Sequence, residues 1–183
     1  MSKDNQKILL IGFGNPARTD DGLGPALAEK IESKNLSLVT VEADYQLTIE
    51  DSAQAAEHDI VIFADASADG AEPFSFEPVE AKYSDGFSTH SVEPAHIMAL
   101  AENLFGSKAK GFILGIRGYE FDRFSDGLSE KAKANLQKAL DFVEGLLKTK
   151  NFTPTPICIV PANVKLKNSV TIKATPFVMS PDK

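Results

Sequence analysis

Several features are scarce or missing in this chain of 183 residues, and each scarcity excludes a class of protein. A single cysteine, Cys158, excludes an internal disulfide framework and a thiolate-rich metal site, and it fits a reducing compartment. No apolar run approaches the length of a membrane span, and the polar first residues, MSKDNQK, predict that there is no signal peptide. We therefore expect a cytoplasmic protein without a membrane partner.

Concentrated positive charge is also lacking. The formal net charge is −7, and the basic residues cluster only in the short runs KAKG, at 108–111, and KLK, at 165–167. Binding to a phosphate backbone requires a dense basic patch. We therefore expect no nucleic-acid partner.

The composition that remains is that of one globular α/β domain followed by an extension. Apolar, β-branched runs alternate with amphipathic runs from residue 7 to 148, which predicts a largely parallel sheet with helices on both faces. We place the domain at residues 1–149. Residues 150–183 are rich in proline and in β-branched residues, and we interpret them as an appended C-terminal segment, either one β-hairpin or a flexible tail.

The predicted strands and helices are separated by short polar segments. The strands are 7–14, 36–43, 59–67 and 111–118, with an edge strand around Phe74 and Phe76. The helices are 22–33, 48–58 with Thr48 as its cap, 93–105, and a long one from Ser125 to about Leu147, whose start is signalled either by Ser125 or by Ser129.

The most unusual stretch is IGFGNPARTDDGLGP, residues 11–25, which follows the first strand. An acidic pair on a loop is often merely solvated, and Asp20 is a candidate cap for the helix at Leu23. The glycines around the pair favour another interpretation, because they permit sharp turns and close approaches that a helix cap does not need. The acidic pair, Asp20 and Asp21, therefore supplies candidate functional carboxylates.

Two further polar residues are expected at the same edge of the sheet. Asp65 ends the apolar run DIVIFADA, and His90 lies in the loop sequence FSTHSVEP before a helix. The ends of parallel strands form the binding edge of such sheets. Asp65 could instead cap the segment that follows, but two carboxylates and one imidazole also make a suitable ligand set for a divalent transition metal, with positions left open.

Other catalytic patterns are missing. GFGNPA lacks the third glycine of a dinucleotide fingerprint, and the chain has no phosphate-binding Gly-Lys-Ser, no nucleophile elbow and no metalloprotease helix with paired histidines. Cys158 lies in an apolar context and looks inert.

With these residues placed, the chain resembles the hydrogenase maturation endopeptidases, which process the large subunit of nickel-iron hydrogenases. The resemblance spans residues 7 to about 148 and rests on the following stretches: ILLIGFGNPARTDDGLGP, ADYQLTIEDS, DIVIFADAS, STHSVEPAHIMALAENLFG and GIRGYEFDRFSDGLSEKAKANLQKALDFVEGLL. The runs YQLTIED and GIRGYEF further resemble the branch that serves bidirectional, NAD-linked hydrogenases.

This resemblance implies a three-layer α/β/α fold with a largely parallel central sheet of about five strands. It also implies an endopeptidase that removes the C-terminal peptide of the large-subunit precursor after nickel insertion and recognises the bound nickel. Asp21, Asp65 and His90 would be the metal-contacting and catalytic residues, with Asn15 and Asp20 supporting them or shaping the loop. The nickel would come from the precursor, although zinc or cadmium could occupy the site in vitro.

Two other functions are left open by the sequence. A receiver-like phosphoacceptor module also has an acidic pair after its first strand, but it needs a lysine after the last strand, where this chain has Arg117. A protein that binds a metallated partner without cutting it would keep the same three ligands.

Overall fold

The structure, a computed structural model, describes residues 5–82, 92–122, 124–125 and 127–152. Their strands and helices occur in this order: β1 Ile8–Phe13, α1 Leu23–Glu32, β2 Val39–Asp44, α2 Asp51–Ala56, β3 Ile60–Ser67, β4 Phe74–Val79, α3 Pro94–Phe105, β5 Lys110–Arg117 and α4 Glu130–Thr149. A short 3-10 helix, Thr19–Gly22, precedes α1.

The five strands form one sheet in the order β2-β1-β3-β5-β4. All neighbouring pairs are parallel except β4 with β5, which is antiparallel. The predicted sheet, largely parallel with about five strands and an edge strand near Phe74, is therefore confirmed. Because β1, β3 and β5 run in the same direction, their carboxyl ends lie at one edge of the sheet.

Apolar residues cover both faces of the sheet, as the three-layer prediction requires. One core cluster joins the strands to α1 and α4 and includes Leu10, Ile62 and Leu140. The other lies on the opposite face under α2 and α3 and includes Phe63 and Ile97. Alternate residues of a strand point to opposite faces, so the central strands are apolar throughout.

Three local predictions need correction. The long helix α4 begins at Glu130 with Ser129 as its cap, so a start at Ser125 is wrong. Asp65 does not close its strand as expected, because β3 continues to Ser67, the last residue of the predicted run, which pairs with Arg117 of β5. Helix α2 begins at Asp51 with Glu50 as its N-cap, so Thr48 is not the cap, although its N–H donates to the Asp51 carboxylate at 2.7 Å.

Helix α4 ends at Thr149, and Lys150 takes a left-handed conformation. The division of the chain at residue 149 stays a prediction. Phe152 still packs against the domain, with its ring centroid 5.9 Å from that of Phe112. Residues 153–183 fall outside the described residues, so the hairpin or flexible tail stays a prediction. Within the described part of the chain, no helix is both long enough and apolar enough to cross a membrane.

Helix α1 packs unusually close to the sheet because of Gly24. A Cβ atom at this position would lie 2.4 Å from the carbonyl oxygens of both Ala64 and Phe13. Both obstacles are backbone atoms and cannot rotate away. The glycine therefore sets the distance between α1 and the strands that lead to the acidic loop.

We expect Gly24→Ala to lower the free energy of unfolding by about 3 kcal/mol or more, since the added methyl group must displace two strands. Gly145→Ala is the matched control, because this exposed glycine of α4 has nothing within 4 Å of a new Cβ atom. The control should be more stable than the wild type by about 0.5–1 kcal/mol. Urea unfolding measures both, and equal stability of the two variants would contradict the close contact.

Candidate functional site

The loop after β1 folds back on itself and returns Asp21 to the end of the strand. Gly14 has a φ of +135°, which residues with a side chain rarely adopt, and a Cβ atom there would lie 2.1 Å from the Asp21 carbonyl oxygen. The N–H of Asn15 donates to the Asp21 carboxylate at 3.2 Å, and the Asp21 N–H donates to the Arg18 carbonyl at 3.0 Å. The expectation that glycines let this loop bend sharply is met.

Asp21 and Asp65 approach one another at the carboxyl edge of the sheet. Asp65 lies on β3, the strand next to β1. Burial, together with the smaller effect of the negative charge of Asp21, raises the pKa of the Asp65 carboxyl to about 6, although the hydrogen bond from the Ala66 N–H lowers it. The structure thus brings two of the three predicted ligands together, with both side chains half-buried.

Asp20 has a different environment from its neighbour Asp21, because its side chain is completely buried. Its carboxylate accepts hydrogen bonds from the N–H groups of Tyr119 at 2.8 Å, Glu120 at 3.0 Å and Ser129 at 2.7 Å, and from the Ser129 hydroxyl at 2.8 Å. Burial disfavours the charged carboxylate, but these hydrogen bonds outweigh it and lower the pKa of Asp20. Asp20 therefore shapes the loop, and it does not cap α1.

The segment between β5 and α4 is held against the acidic loop by further hydrogen bonds. The Arg18 guanidinium donates to the Phe121 carbonyl at 3.1 Å, and the Ser125 N–H donates to the Ala17 carbonyl at 3.2 Å. Ser129 completes the connection, since its hydroxyl also accepts the N–H of Ala132 in the first turn of α4. The position of Asp21 is thus determined by residues more than 100 positions along the chain.

His90, the third predicted ligand, falls in the segment 83–91, outside the described residues. Its approach to Asp21 and Asp65 stays a prediction.

Comparisons with known proteins agree on one group. No protein-family model matches the chain. A curated protein of Methanocaldococcus jannaschii, named "Putative hydrogenase maturation protease", is 28% identical over 155 residues, which are 77% of this chain and 96% of that protein. The chain is related to the hydrogenase maturation proteases.

Solved structures of such proteases share its fold. The endopeptidase HybD of Escherichia coli has a TM-score of 0.64 and 22% identity, covering 79% of this chain and 94% of its own. The protease HycI of Thermococcus kodakarensis has a TM-score of 0.62 and 22% identity, covering 78% of this chain and 93% of its own. The resemblance inferred from the sequence is confirmed. The narrower assignment, to the branch that serves bidirectional, NAD-linked hydrogenases, stays a prediction.

A second group of carboxylates lies between β2 and the start of α2, and the sequence did not predict it. One oxygen from each of Glu42, Asp44 and Asp51 lies within 4.8 Å of the others. Glu42 and Asp44 are two residues apart on β2 and so share a face, but the approach of Asp51 from α2 leaves no local sequence signal. Exposed acidic groups often cluster without an ion, and Asp51 already accepts the Thr48 N–H, so we assign no metal here.

Arg117, which stands where a receiver module needs a lysine, makes two contacts at the end of β5. Its guanidinium donates to the Gly70 carbonyl at 3.2 Å and lies over the Tyr119 ring, 5.5 Å from the centroid. These contacts connect the end of β5 to Gly70 and to Tyr119 in the adjoining loops.

We expect Asp20→Asn to lower the free energy of unfolding by about 2–4 kcal/mol at pH 7, because an amide cannot satisfy four donors as a carboxylate does. The pKa of Asp20 is lowered from 3.8 by folding, so the benefit is present above about pH 4 and is lost as the pH falls further. Urea unfolding at pH 7 and at about pH 3 measures this difference. Asp141→Asn, on the exposed face of α4, should change stability by no more than about 0.5 kcal/mol, and a similar value for Asp20→Asn would contradict the role.

Asp65→Asn should instead raise the free energy of unfolding. Folding raises the pKa of Asp65 from 3.8 to about 6, so the folded chain holds a proton that the unfolded chain has lost, and wild-type stability falls as the pH rises through this interval. With a chelator present, the variant should exceed the wild type by roughly 1–3 kcal/mol at pH 7.5 and match it near pH 4. Asp69→Asn, an exposed neighbour, is the control. If Asp65→Asn is less stable than the wild type at pH 7.5, the charged Asp65 carboxylate does not destabilise the fold.

Proposed function

We propose that the chain is an endopeptidase of hydrogenase maturation, which removes the C-terminal peptide of a nickel-iron hydrogenase large-subunit precursor after nickel insertion. The observation that carries the proposal is the pair Asp21 and Asp65, which share the carboxyl edge of a sheet with the fold of these proteases. The chain also covers 96% of its curated relative, so the likeness is not confined to one motif.

In this proposal, the precursor supplies the nickel and this chain supplies oxygen and nitrogen ligands. Asp21 and Asp65 are half-buried, so their oxygens remain open to an incoming partner, and His90 is the third ligand. An open set of two carboxylates and one imidazole suits a metal that is already held by other ligands. Zinc or cadmium would occupy the same ligand set in vitro.

The hydrolytic step requires a base near the bound metal. A carboxylate of Asp21 or Asp65 takes a proton from a water molecule as the water oxygen attacks the carbonyl carbon of the scissile bond. The same proton then passes to the departing nitrogen as the carbon-nitrogen bond breaks, so the carboxylate is regenerated. The metal would polarise the water or the carbonyl oxygen.

Asp20 supports the proposal because it fixes the position of the neighbouring residue Asp21. Its four hydrogen bonds hold the backbone next to Asp21, which reduces the freedom of that carboxylate before the partner arrives. We further propose that the reaction takes place in the cytoplasm.

The test is to incubate the purified chain with nickel-loaded and nickel-free large-subunit precursors from the same organism and to follow the precursor mass. The wild type should remove a C-terminal peptide from the nickel-loaded form only. Asp21→Asn, Asp65→Asn and His90→Ala should each lower the cleavage rate by about 100-fold or more. Asp141→Asn should cleave normally, since Asp141 is exposed on α4 and lies outside the pair.

The alternatives predict different results from the same experiment. Retained binding to the nickel-loaded precursor without any change in its mass would favour a protein that binds and does not cut. Equal cleavage of both precursor forms would show that nickel is not the recognition element.

A further inference from the structure

Three large apolar side chains stand exposed at the same edge of the sheet as the candidate site. Tyr45 is 70% exposed, Ile49 is 57% exposed and Phe124 is 83% exposed. The other exposed large apolar residues of the described chain are Leu38, Leu104 and Phe105, which precede β2 or end α3. We call Tyr45, Ile49 and Phe124 the apolar rim.

Backbone hydrogen bonds connect this rim to the loop that carries Asp21. Tyr45 directly follows Asp44, whose carbonyl accepts the Gly14 N–H at 3.0 Å. Phe124 directly precedes Ser125, whose N–H donates to the Ala17 carbonyl at 3.2 Å. The exposed rings therefore flank the acidic loop at two of its contacts, and a partner that reaches Asp21 passes close to them.

The surroundings of the rim are strongly acidic. The described residues of the segments 14–22, 44–51, 65–73 and 117–129, which end or follow the parallel strands, include ten acidic residues and two arginines. Their excess of negative charge is larger than the net charge of −7 of the whole chain. The other described residues include twelve acidic and eleven basic ones, so the negative charge of the described chain is concentrated at this edge.

Resting on the proposed function, we propose that the apolar rim is the docking surface for the hydrogenase precursor, and that it binds a precursor surface in which basic side chains surround apolar ones. Exposed aromatic residues are the usual anchors of protein interfaces, where their burial supplies much of the affinity. The acidic segments complement a basic partner, which speeds encounter and fixes orientation. Docking and metal recognition would then use adjacent parts of one edge.

Two double variants test the apolar part in the cleavage assay described above. Tyr45→Ala with Phe124→Ala should raise KM for the nickel-loaded precursor about 10- to 100-fold and leave kcat nearly unchanged, because neither side chain touches the reacting atoms. The control is Leu104→Ala with Phe105→Ala, which removes exposed apolar surface at the end of α3 and should leave KM unchanged. Thermal unfolding of each variant verifies that the fold is kept.

The salt dependence of KM tests the role of the acidic segments around the apolar rim. Raising the salt concentration from about 50 to 300 mM should raise KM for the wild type, since surface electrostatics are screened. Glu50→Gln with Asp122→Asn, both exposed near the rim, should weaken this salt dependence. Glu29→Gln with Glu32→Gln, exposed on α1, should not change it.

The results separate failure of docking from failure of the proposed function. If the wild type cleaves the precursor but the rim variant keeps the wild-type KM, the rim is not the docking surface, although the endopeptidase function stands. A salt-independent KM would overturn the basic partner surface. If the wild type cleaves no precursor, the proposed function falls and the docking proposal falls with it.

Discussion

The buried carboxylate of Asp20 is the interaction on which the candidate site depends. An isolated charge inside a protein is very unfavourable, and the four hydrogen bonds to this one make its burial possible. They connect the loop after β1 with the segment after β5 and with the cap of α4. Since Asp21 is the next residue, the same bonds that stabilise the domain also limit where the candidate ligand can lie.

The paired carboxylates have the opposite energetic character. Asp65 is disfavoured as a charged group by its burial, and the nearby charge of Asp21 adds repulsion. Such an arrangement lowers the stability of the isolated protein, and it is retained where a site needs negative charge for a partner. The edge of the sheet therefore combines one carboxylate that stabilises the fold, that of Asp20, with one whose charged form destabilises it, that of Asp65.

Much of the scaffold could be predicted from the sequence, because its signals are local. Apolar β-branched runs marked the strands, alternation with amphipathic runs indicated the parallel sheet, and Ser129 was one of the two proposed starts of α4. The partners of Asp20 could not be predicted, since a side chain that binds backbone N–H groups about 100 residues away leaves no pattern in the sequence. For the same reason the cluster of Glu42, Asp44 and Asp51 was missed. Asp21 and Asp65 were expected together only because parallel strands bring their carboxyl ends to one edge.

The contact between Asp20 and Ser129 closes a loop of 109 residues. Contacts of such high sequence separation form late and slowly, because the chain entropy of closure must be overcome first. During synthesis on the ribosome, the acidic loop lacks the last of its hydrogen-bond donors until residue 129 has emerged. An N-terminal fragment that stops before Tyr119 would contain β1, β3 and both aspartates of the candidate pair, yet it would lack every donor that binds the Asp20 carboxylate.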